Sequence, residues 1–536
     1  MDNTDMANKS TIEYDALKEE NDNQKAYISK LEVRIADLEK NIQWFIEIIK
    51  KQQNREYGQS SEKSKYDSKY NNEYYRDSLF NEAEHFADPK APEPEITTIV
   101  KEHKRKVRLT TEKLPPELPV ETVEHVLPDE EQACPECGGE LHCIGKEKVR
   151  NDLKIIPAKV IVVEHVRNAY GCRRCESESE NATIIKAPTP EPVIKGSFAS
   201  PEAVAHIMVQ KFVMGVPIYR QEKELERQGI LLSRQTMSNW LIRCSEDWLS
   251  PIYELLHGQL IERGAASADE TEFQVLQEPG RTAQQKSYLW VYRTVNDGLP
   301  PIILTDYQPG RHGKHPESFL KGFKGYLQTD GYSGYNNLGN DVVRVACLAH
   351  IRRKFHDALK ILPSNKRAGT DALHAKEYCD SLFEIERGFI GLSPNERYEQ
   401  RLLKLKPVMD EFHAWLLTIQ QPGKSSFGNA VRYALDQWPF LLNVLLDGRL
   451  EISNNRIERT IKMFVIDRKN FLFANTPAGA RASAVVFSII ETAIENGLNP
   501  YDYLVYVFKN MPNMKLSEVE RLLPYNYLEF MKNNKA

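Results

Sequence analysis

Hydrophobic residues recur at alternating intervals of three and four positions along residues 14–49. This is the heptad spacing of a coiled coil, and isoleucine at the a positions with mostly leucine at the d positions favours a parallel pair of helices. The apolar members of the repeat are Tyr14, Leu17, Ile28, Leu31, Ile35, Leu38, Ile42, Phe45 and Ile49. A single amphipathic helix packed on its own protein is the alternative. We expect residues 1–55 to form a dimerisation helix and the polar, finally proline-rich residues 56–100 to form a linker.

A helical pattern of apolar positions occupies residues 193–260. Within it, "YRQEKELERQGILLSRQTMSNWLIRC" predicts one helix, a turn at Gly229 and a second helix capped by Ser233. This spacing is typical of a helix-turn-helix, in which the start of the second helix faces a DNA groove. The residues at that start are Arg234, Gln235 and Ser238. Helix pairs with a glycine turn also occur in plain bundles, so both interpretations stay open.

Strand-like segments dominate residues 261–355. They are "GAASADETEFQVL", "KSYLWVYRTV", "PIILTDYQ", "GYLQTD" and "VVRVACLAH", with a short helical segment, "HPESFLKGF", after the third. Three strands, a crossover helix and further strands predict a mixed sheet. Asp269 then lies within the first strand and Asp330 at the C-terminal end of the fourth. The two carboxylates lie side by side if those strands are neighbours.

A third carboxylate follows a long helix-rich stretch, in "RLEISNNRIERTIKMFVIDRKNFLFA". Ser453 or Asn454 is a candidate N-cap, which leaves Glu451 before the helix and places Glu458 near its first turn. Glu458 is therefore the better candidate, and Lys462 lies one turn further on the same face. Three carboxylates suit hard divalent cations, and two Mg²⁺ ions ~4 Å apart stabilise the attacking and leaving oxygens of a phosphodiester displacement. An Asp before Gly is nonetheless usually a turn residue, so these positions alone leave a metal-dependent nuclease as one of several interpretations.

Two Cys-x-x-Cys motifs lie within residues 101–192. Each can place two thiolates on one ion, so together they supply a closed tetrahedral zinc site that holds together a segment with little core of its own. The four thiols belong to Cys134, Cys137, Cys172 and Cys175. The apolar run at 159–172 predicts a strand leading into the second motif, as in a zinc ribbon. A redox function of the motifs is the alternative.

The composition fits a multi-domain cytoplasmic protein. The 536 residues exceed one compact core, 41% are hydrophobic and 27% charged, and no apolar run approaches the ~20 residues that cross a bilayer. The net charge of −5 argues against binding nucleic acid through overall charge, which leaves local basic segments such as 101–108 and 352–355. No membrane partner is expected.

Taken together, these motifs resemble the DDE transposases of bacterial insertion sequences, specifically the insertion sequence sixty-six family. The resemblance covers nearly the whole chain and depends on the order and combination of the motifs. Beside the paired Cys-x-x-Cys motifs they are "SSEK", "SLFNEAE", "ADET", "LQTDGYSGY", "CLAHIRRKF", "ISNNRIERTI", "RKNFLFA" and "ETAIENGLNPYDYL". The chain departs from the family pattern at Asp467, where glycine is common, and at Asn475 and Thr476, where Gly-Ser is common. A negative charge at Asp467 beside a phosphate-binding segment is expected to weaken activity.

The resemblance implies a multi-domain α+β protein: a coiled coil, a zinc ribbon, a helix-turn-helix-like unit and an RNase H-like α/β catalytic domain with an α-helical insertion. The catalytic domain would span 261–480, the insertion about 356–448, and a C-terminal helical region 481–536. Asp269, Asp330 and Glu458 would form the DDE triad, with Mg²⁺ or Mn²⁺ as its cofactor and Zn²⁺ in the ribbon.

The family's Cys-x-x-His falls on Cys347 and His350. Zinc would need two further ligands there, which the sequence does not offer, so packing near the active site is the preferred interpretation. The residues expected to contact DNA around the active site are His350, Arg352, Lys462, Arg468 and Lys469, although a solvated basic face would also explain the last two.

The function implied is transposition: binding of terminal inverted repeats, metal-dependent DNA cleavage and strand transfer. A catalytically impaired DNA-binding regulator of the element, or a metal-dependent nuclease, are the alternatives. The expected partners are the element ends, target DNA, a second copy or more of the chain, and accessory proteins of the element. The expected location is the cytoplasm, in association with the nucleoid.

Overall fold

The computed structural model describes residues 159–171, 184–420, 425–471 and 473–527, together with single positions at 21, 24, 25 and 122. Apart from positions 21, 24 and 25, the predicted coiled coil falls on residues outside this part of the chain, as do the linker and the four zinc cysteines. The chain divides into two units, of which one comprises residues 60–187 and the other comprises the residues on either side.

The smaller unit contributes one short antiparallel hairpin. Strand β1, Ala169–Gly171, pairs with β2, Ile184–Lys186, in the register Tyr170↔Ile185. The strand expected over 159–172 is therefore wrong in extent, because residues 159–168 have no strand assignment and pairing begins only at Ala169. The apolar side chains of that run are exposed in the described part of the unit, up to 97% for Val162.

In the larger unit, the described residues from 188 to 262 form four α-helices. They are α1, Pro201–Phe212; α2, Ile218–Arg227; α3, Arg234–Cys244; and α4, Ser250–Glu262. As predicted, Gly229 occupies the turn between α2 and α3 with a φ of 79°, a value that favours glycine. Ser233 caps α3, and its hydroxyl accepts a hydrogen bond from the backbone N–H of Thr236.

A five-stranded mixed sheet forms the centre of the larger unit, as the sequence predicts. Its strands are β3, Ala265–Gln274; β4, Lys286–Thr294; β5, Ile303–Gln308; β6, Gly325–Thr329; and β7, Val342–Ala346. Their spatial order is β5-β4-β3-β6-β7. The β3–β4 and β4–β5 pairs are antiparallel, whereas β6 and β7 run parallel to β3. The crossover into β6 contains the short helix α5, Lys314–Phe319.

A helical stretch separates β7 from the segment that carries Glu458. Its helices are α6, Leu348–Ile361; α7, Asp371–Arg387; α8, Pro394–Gln400; α9, Lys406–Thr418; and α10, Ser426–Leu442. The strand-like segment "VVRVACLAH" is wrong in its second half, because the strand ends at Ala346 and α6 begins at Leu348. Buried Leu348, Ile351 and Phe355 follow the 3–4 spacing of a helix that packs on the core.

Three helices close the larger unit: α11, Asn455–Phe471; α12, Pro477–Glu495; and α13, Pro500–Asn510. Helix α12 covers the outer edge of the sheet at β5. Ser488 Oγ accepts a hydrogen bond from the backbone N–H of Thr305, at 2.8 Å, and Thr492 Oγ1 accepts one from that of Ile303, at 3.0 Å. These bonds satisfy backbone groups that an edge strand would otherwise leave open. Among the described residues, no helix is long and apolar enough to span a membrane.

Candidate active site

Two adjacent parallel strands bring Asp269 and Asp330 together. The register pairs Ser267 of β3 with Gln328 of β6, so each aspartate follows its paired residue by two positions. Ligand oxygens of Asp269, Glu270 and Asp330 all lie within 4.8 Å of one another. The prediction that the two aspartates lie side by side is confirmed, and the structure adds Glu270 as a third carboxylate.

Asp330 is fixed by hydrogen bonds to its own turn and by a buried arginine. Its Oδ1 accepts from the backbone N–H of Tyr332 at 2.9 Å. Arg344 Nη2 donates to the carbonyl oxygen of Asp330 at 2.7 Å, and Arg344 Nε donates to Thr329 Oγ1 at 3.0 Å. Gly331 follows where a side chain has no room, since a Cβ there would overlap the Tyr433 ring. This glycine therefore allows a close approach to α10.

The carboxylates repel one another, and that of Asp269 is largely withdrawn from water. Burial raises the pKa of Asp269 well above its ordinary value, and the charges of Glu270, Asp330 and Glu458 raise it further. The backbone N–H of Glu270, which donates to Asp269 Oδ1 at 2.8 Å, partly offsets this. Negative charges held together in this way are stabilised when a cation binds between them.

Helix α11 brings Glu458 to the same face of the sheet as Asp269. Asp269 pairs across the strands with Val291, and directly paired residues share a face. Val291 packs with Ile303 and Ile457, and Ile457 immediately precedes Glu458. The position of the third carboxylate thus follows from the apolar contact of its neighbour.

Asn454, one residue before α11, joins this helix to the strand of Asp269. Its side-chain Nδ2 donates to the carbonyl oxygen of Ala268 at 3.4 Å, and its backbone N–H donates to Cys347 Sγ at 3.1 Å. The residue is 2% exposed, and Asn454 Oδ1 has no hydrogen-bond partner in the described chain. The asparagine therefore anchors the helix, and its side chain makes no capping bond among these contacts.

The charged neighbours of Glu458 come from α6. Arg353 Nη2 donates to Glu458 Oε2 at 3.2 Å, and His350 Nε2 lies 3.7 Å from Glu458 Oε1. Glu458 Oε1 is buried and lacks a hydrogen-bond partner among the described residues. An unpartnered buried carboxylate oxygen fits a position that a cation ligates. Lys462, which the sequence offered as a partner of Glu458, is exposed and forms no ion pair with it in the described part of the chain.

Cys347 and His350 lie beside the site, as the packing interpretation predicts. Their ligand atoms and one of Glu458 lie within 4.8 Å of one another, so the structure supplies one acidic neighbour that the spacing did not. Burial raises the pKa of the Cys347 thiol to about 11, and this sulfur accepts the backbone bond of Asn454 described above. The thiol is thus protonated at neutral pH and acts as a packing and anchoring group.

Glu451, the rejected candidate, is engaged elsewhere. Its Oε1 accepts from Arg456 Nη1 at 3.1 Å, and its carbonyl oxygen accepts from the side chain of Gln328. Asp269, by contrast, senses the charge of Glu458. Glu458, whose charge raises the pKa of Asp269, therefore stays the preferred third carboxylate.

The residues predicted to read DNA lie on an exposed helix start. Arg234 and Gln235 are exposed, whereas the hydroxyl of Ser238 donates to the carbonyl oxygen of Arg234 at 2.8 Å. Arg234 also lies 3.9 Å from Glu222 of α2. Two of the three side chains therefore remain available to a ligand.

The remaining predicted DNA contacts occupy two places. Arg352 forms a 2.5 Å ion pair with Asp380 of α7, at a groove between α6, α7 and the start of α11. Arg468 and Lys469 lie in the last turn of α11. The axial rise of a helix places Lys469 ~16 Å from Glu458. These two basic residues thus lie well away from Glu458 along the helix.

Asp467 faces the interior and is 4% exposed. Burial raises its pKa to about 6, and the nearby Lys211 of α1 opposes that rise. The Nζ of Lys211 lies 3.6 Å from the centroid of the Phe471 ring, at the same helix contact. The expectation that Asp467 weakens phosphate binding assumed a carboxylate on the surface, and the structure places it against α1 instead.

Sequence reasoning missed Glu270, Arg344 and Arg353, and also Arg311, whose Nη2 lies 4.0 Å from Asp330 Oδ2. Arg353 had a signal, because it follows His350 by three residues and such pairs share a helix face. Glu270 was visible only as the neighbour of Asp269. Arg311 and Arg344 had no local signal, since their partners are distant in sequence.

Acidic oxygens gathered within β3 and just after β6, beside a helix that supplies one more, are the kind of arrangement in which proteins bind divalent cations. Models of known protein families match four parts of the chain. Residues 196–482 match the transposase IS66 family, and 131–176 match the zinc-finger binding domain of transposase IS66. Residues 488–525 match the IS66 C-terminal element, and 44–123 match a family described as transposase C of IS166 homeodomain.

Similar proteins occur in Sinorhizobium fredii (strain NBRC 101917 / NGR234). The uncharacterised protein y4jD is 33% identical over 431 residues, which cover 77% of this chain and 81% of the relative. The uncharacterised protein y4qI is 31% identical over 425 residues, which cover 76% of each chain. The chain belongs to the IS66 transposase family, and the predicted insertion-sequence transposase is confirmed. The transposase and zinc-finger matches also imply DNA binding and bound metal ions.

Proposed function

We propose that this transposase cuts the ends of its element and joins them to target DNA, with Asp269, Asp330 and Glu458 as the catalytic carboxylates. The observation that carries the proposal is their convergence from β3, the end of β6 and the first turn of α11. Like charges that three segments distant in sequence bring together repel one another, and a bound cation would offset that repulsion. The domain is accordingly proposed to be RNase H-like, spanning about 261–480 with the helical insertion at about 356–448. The β5-β4-β3-β6-β7 order supports that assignment.

Mg²⁺, or Mn²⁺ in its place, is the proposed cofactor, and the same three carboxylates would hold it. When bound, a pair of such ions activates the attacking oxygen and neutralises the leaving oxygen of a phosphodiester displacement. The protein holds Asp330 through Arg344 and the Tyr332 backbone. It holds the Glu458 helix through Asn454.

Recognition of terminal inverted repeats is proposed for the zinc ribbon at 101–192, with Zn²⁺ on its four cysteines, and for the helix-turn-helix-like unit at 193–260. Exposed Arg234 and Gln235 support the second assignment. Dimerisation through residues 1–55, a C-terminal helical region at 481–536, accessory proteins of the element and a nucleoid-associated cytoplasmic location complete the proposal.

The catalytic assignment is tested with Asp269→Asn, Asp330→Asn and Glu458→Gln. Each change keeps the shape of the side chain and removes its charge, and at a site where carboxylates repel one another that removal does not threaten folding. The assay follows joining of a labelled element end to plasmid DNA with Mg²⁺, beside binding of the same end without joining. We expect at least a 10³-fold loss of joining with binding retained.

The matched control is Glu451→Gln. Glu451 lies seven positions before Glu458 and accepts a hydrogen bond from Arg456. The Glu451→Gln protein should join DNA at close to the wild-type rate. Joining that persists in Asp269→Asn would remove these carboxylates from the mechanism. Wild-type protein that cuts without joining would indicate a nuclease, and wild-type protein that binds without cutting would indicate a regulator.

A further inference from the structure

Arg311 occupies a loop at 309–313 between β5 and α5, a segment with no recognised motif. This loop is packed against the turn that follows Asp330. A Cβ on Gly313 would lie 2.8 Å from the carbonyl oxygen of Gly334, so the two backbones are nearly in contact. The Tyr332 hydroxyl donates to the carbonyl oxygen of Arg311. The backbone of Arg311 is therefore fixed relative to Asp330.

The side chain of Arg311 is also held in one orientation. Its Nε donates to Glu270 Oε1 at 2.6 Å, and its Nη2 lies 2.5 Å from the same oxygen as an ion pair. Its guanidinium carbon lies 4.0 Å from the centroid of the Tyr332 ring. The other oxygen of Glu270 accepts from the Tyr335 hydroxyl at 2.5 Å. Glu270 has both oxygens engaged and is 1% exposed, so it acts as an orienting group for the guanidinium.

The free edge of Arg311 lies beside the catalytic carboxylates. Nη2 is 4.0 Å from Asp330 Oδ2, and the side chain is 41% exposed. A guanidinium has five donors, and among the described residues Nη1 of Arg311 has no acceptor within hydrogen-bonding distance. Its remaining donors face solvent next to the carboxylates, where a ligand at the site can reach them.

We propose that Arg311 is a catalytic residue that binds a DNA phosphate: the scissile phosphate or one of its two neighbours on the same strand. A guanidinium matches phosphate oxygens with paired hydrogen bonds, and one already oriented loses little entropy on binding. Charge on the phosphate oxygens in the transition state of phosphoryl transfer is stabilised by such a group. The inference rests on the proposed function for the location of the reacting strand.

The test is a cycle that combines protein variants with DNA in which one phosphate is a neutral methylphosphonate. The probe is a labelled duplex carrying one end of the element, with the replacement at the scissile position or at either neighbour, and binding is measured with Ca²⁺. Arg311→Ala should weaken binding of unmodified DNA on the order of tenfold, the range of a charge-assisted hydrogen bond. A methylphosphonate at one of the three positions should weaken binding by the wild-type protein by a similar factor. The same replacement should leave the affinity of the Arg311→Ala protein unchanged.

Three further proteins make the result specific. Lys314→Ala removes an exposed charge three residues away, and it should respond to every methylphosphonate as the wild type does. Arg311→Lys keeps the charge without the fork and should recover part of the affinity. Glu270→Gln keeps the guanidinium but weakens the group that orients it, so it should reduce the response to the methylphosphonate.

The inference is overturned if Arg311→Ala is as sensitive as wild type to a methylphosphonate at all three positions. If the wild-type protein joins no DNA, but the effects of Arg311→Ala and of one methylphosphonate on binding are still not additive, strand transfer is refuted and the Arg311 contact stands. Wild-type joining with no coupling at any of the three would refute the Arg311 contact alone.

Discussion

Arg344 connects the strand that ends at Asp330 to the helical stretch after β7. It is 7% exposed and donates to four acceptors, on Thr329, Asn336, Asp330 and Gln437, at 2.5–3.0 Å. Its guanidinium also lies 4.3 Å from the Phe440 ring centroid. We therefore take Arg344→Met, which keeps length and loses every donor, as the most informative single change to the scaffold.

The magnitude follows from the acceptors that the change leaves behind. A buried acceptor without its donor costs ~1–3 kcal/mol, and water reaches some of the four, so a loss of about 4 kcal/mol is expected. That energy corresponds to a factor of ~10³ in an opening equilibrium. Because the carbonyl of Asp330 loses its donor, the carboxylate shifts, and a displacement of ~1 Å lowers a rate ~100-fold.

Amide hydrogen exchange measures this loss where it occurs, which suits a chain of several domains that need not unfold in one step. Protection of β6 and β7 amides should fall ~10³-fold in Arg344→Met. Arg387→Met removes an exposed ion pair with Glu384 on α7 and should change those amides less than tenfold. Gln437→Leu should lower the protection of these amides less in the Arg344→Met protein than in wild type, because the Gln437 acceptor has already lost its donor there. Unchanged protection in β6 and β7 would refute the reasoning.

Two further predictions concern buried acids away from the active site. Burial, with the charge of Glu495, raises the pKa of Glu491 to about 7. The folded chain therefore keeps a proton that the unfolded chain loses from about pH 4.5. The free energy of unfolding then falls as the pH rises from about 4.5 to about 7. Glu491→Gln should remove that decline and gain about 3 kcal/mol on wild type at pH 8 but little at pH 4, by denaturant titration. The Asp467→Asn protein should join DNA at a rate within about threefold of wild type, with an unchanged salt dependence of binding, because the carboxylate is buried near Lys211. A large gain in joining would show instead that the carboxylate faces the DNA.

Much of the scaffold was predictable because its signals are local. The turn at Gly229 and the cap at Ser233 depend on neighbouring residues, and the structure has both. The strand ends were less predictable: "VVRVACLAH" is apolar apart from Arg344 and His350, and a short apolar run does not distinguish a buried strand from a buried helix start.

The residues of the candidate site also differ in whether their sequence signals are local. Asp269 and Asp330 were found because each lies in or just after a strand-like segment and in a motif of the family, whereas the pairing of their strands comes from the structure. The groups that hold them were not found, since Arg344 binds Gln437 and Asn454 binds Ala268 across long separations in sequence. A lone arginine in "VVRVA" has the same local pattern whether it points into solvent or into four acceptors.

Asp467 shows why a departure from a family pattern needs a structure before it is given a functional meaning. By sequence it adds a negative charge one residue before Arg468 and Lys469. A helix turns by about 100° per residue, so adjacent positions face different surroundings. Asp467 accordingly packs toward Lys211 while Lys469 is exposed. The charge that seemed to oppose phosphate binding is instead part of the contact between α11 and α1, and its consequence is expected in the pH dependence of stability.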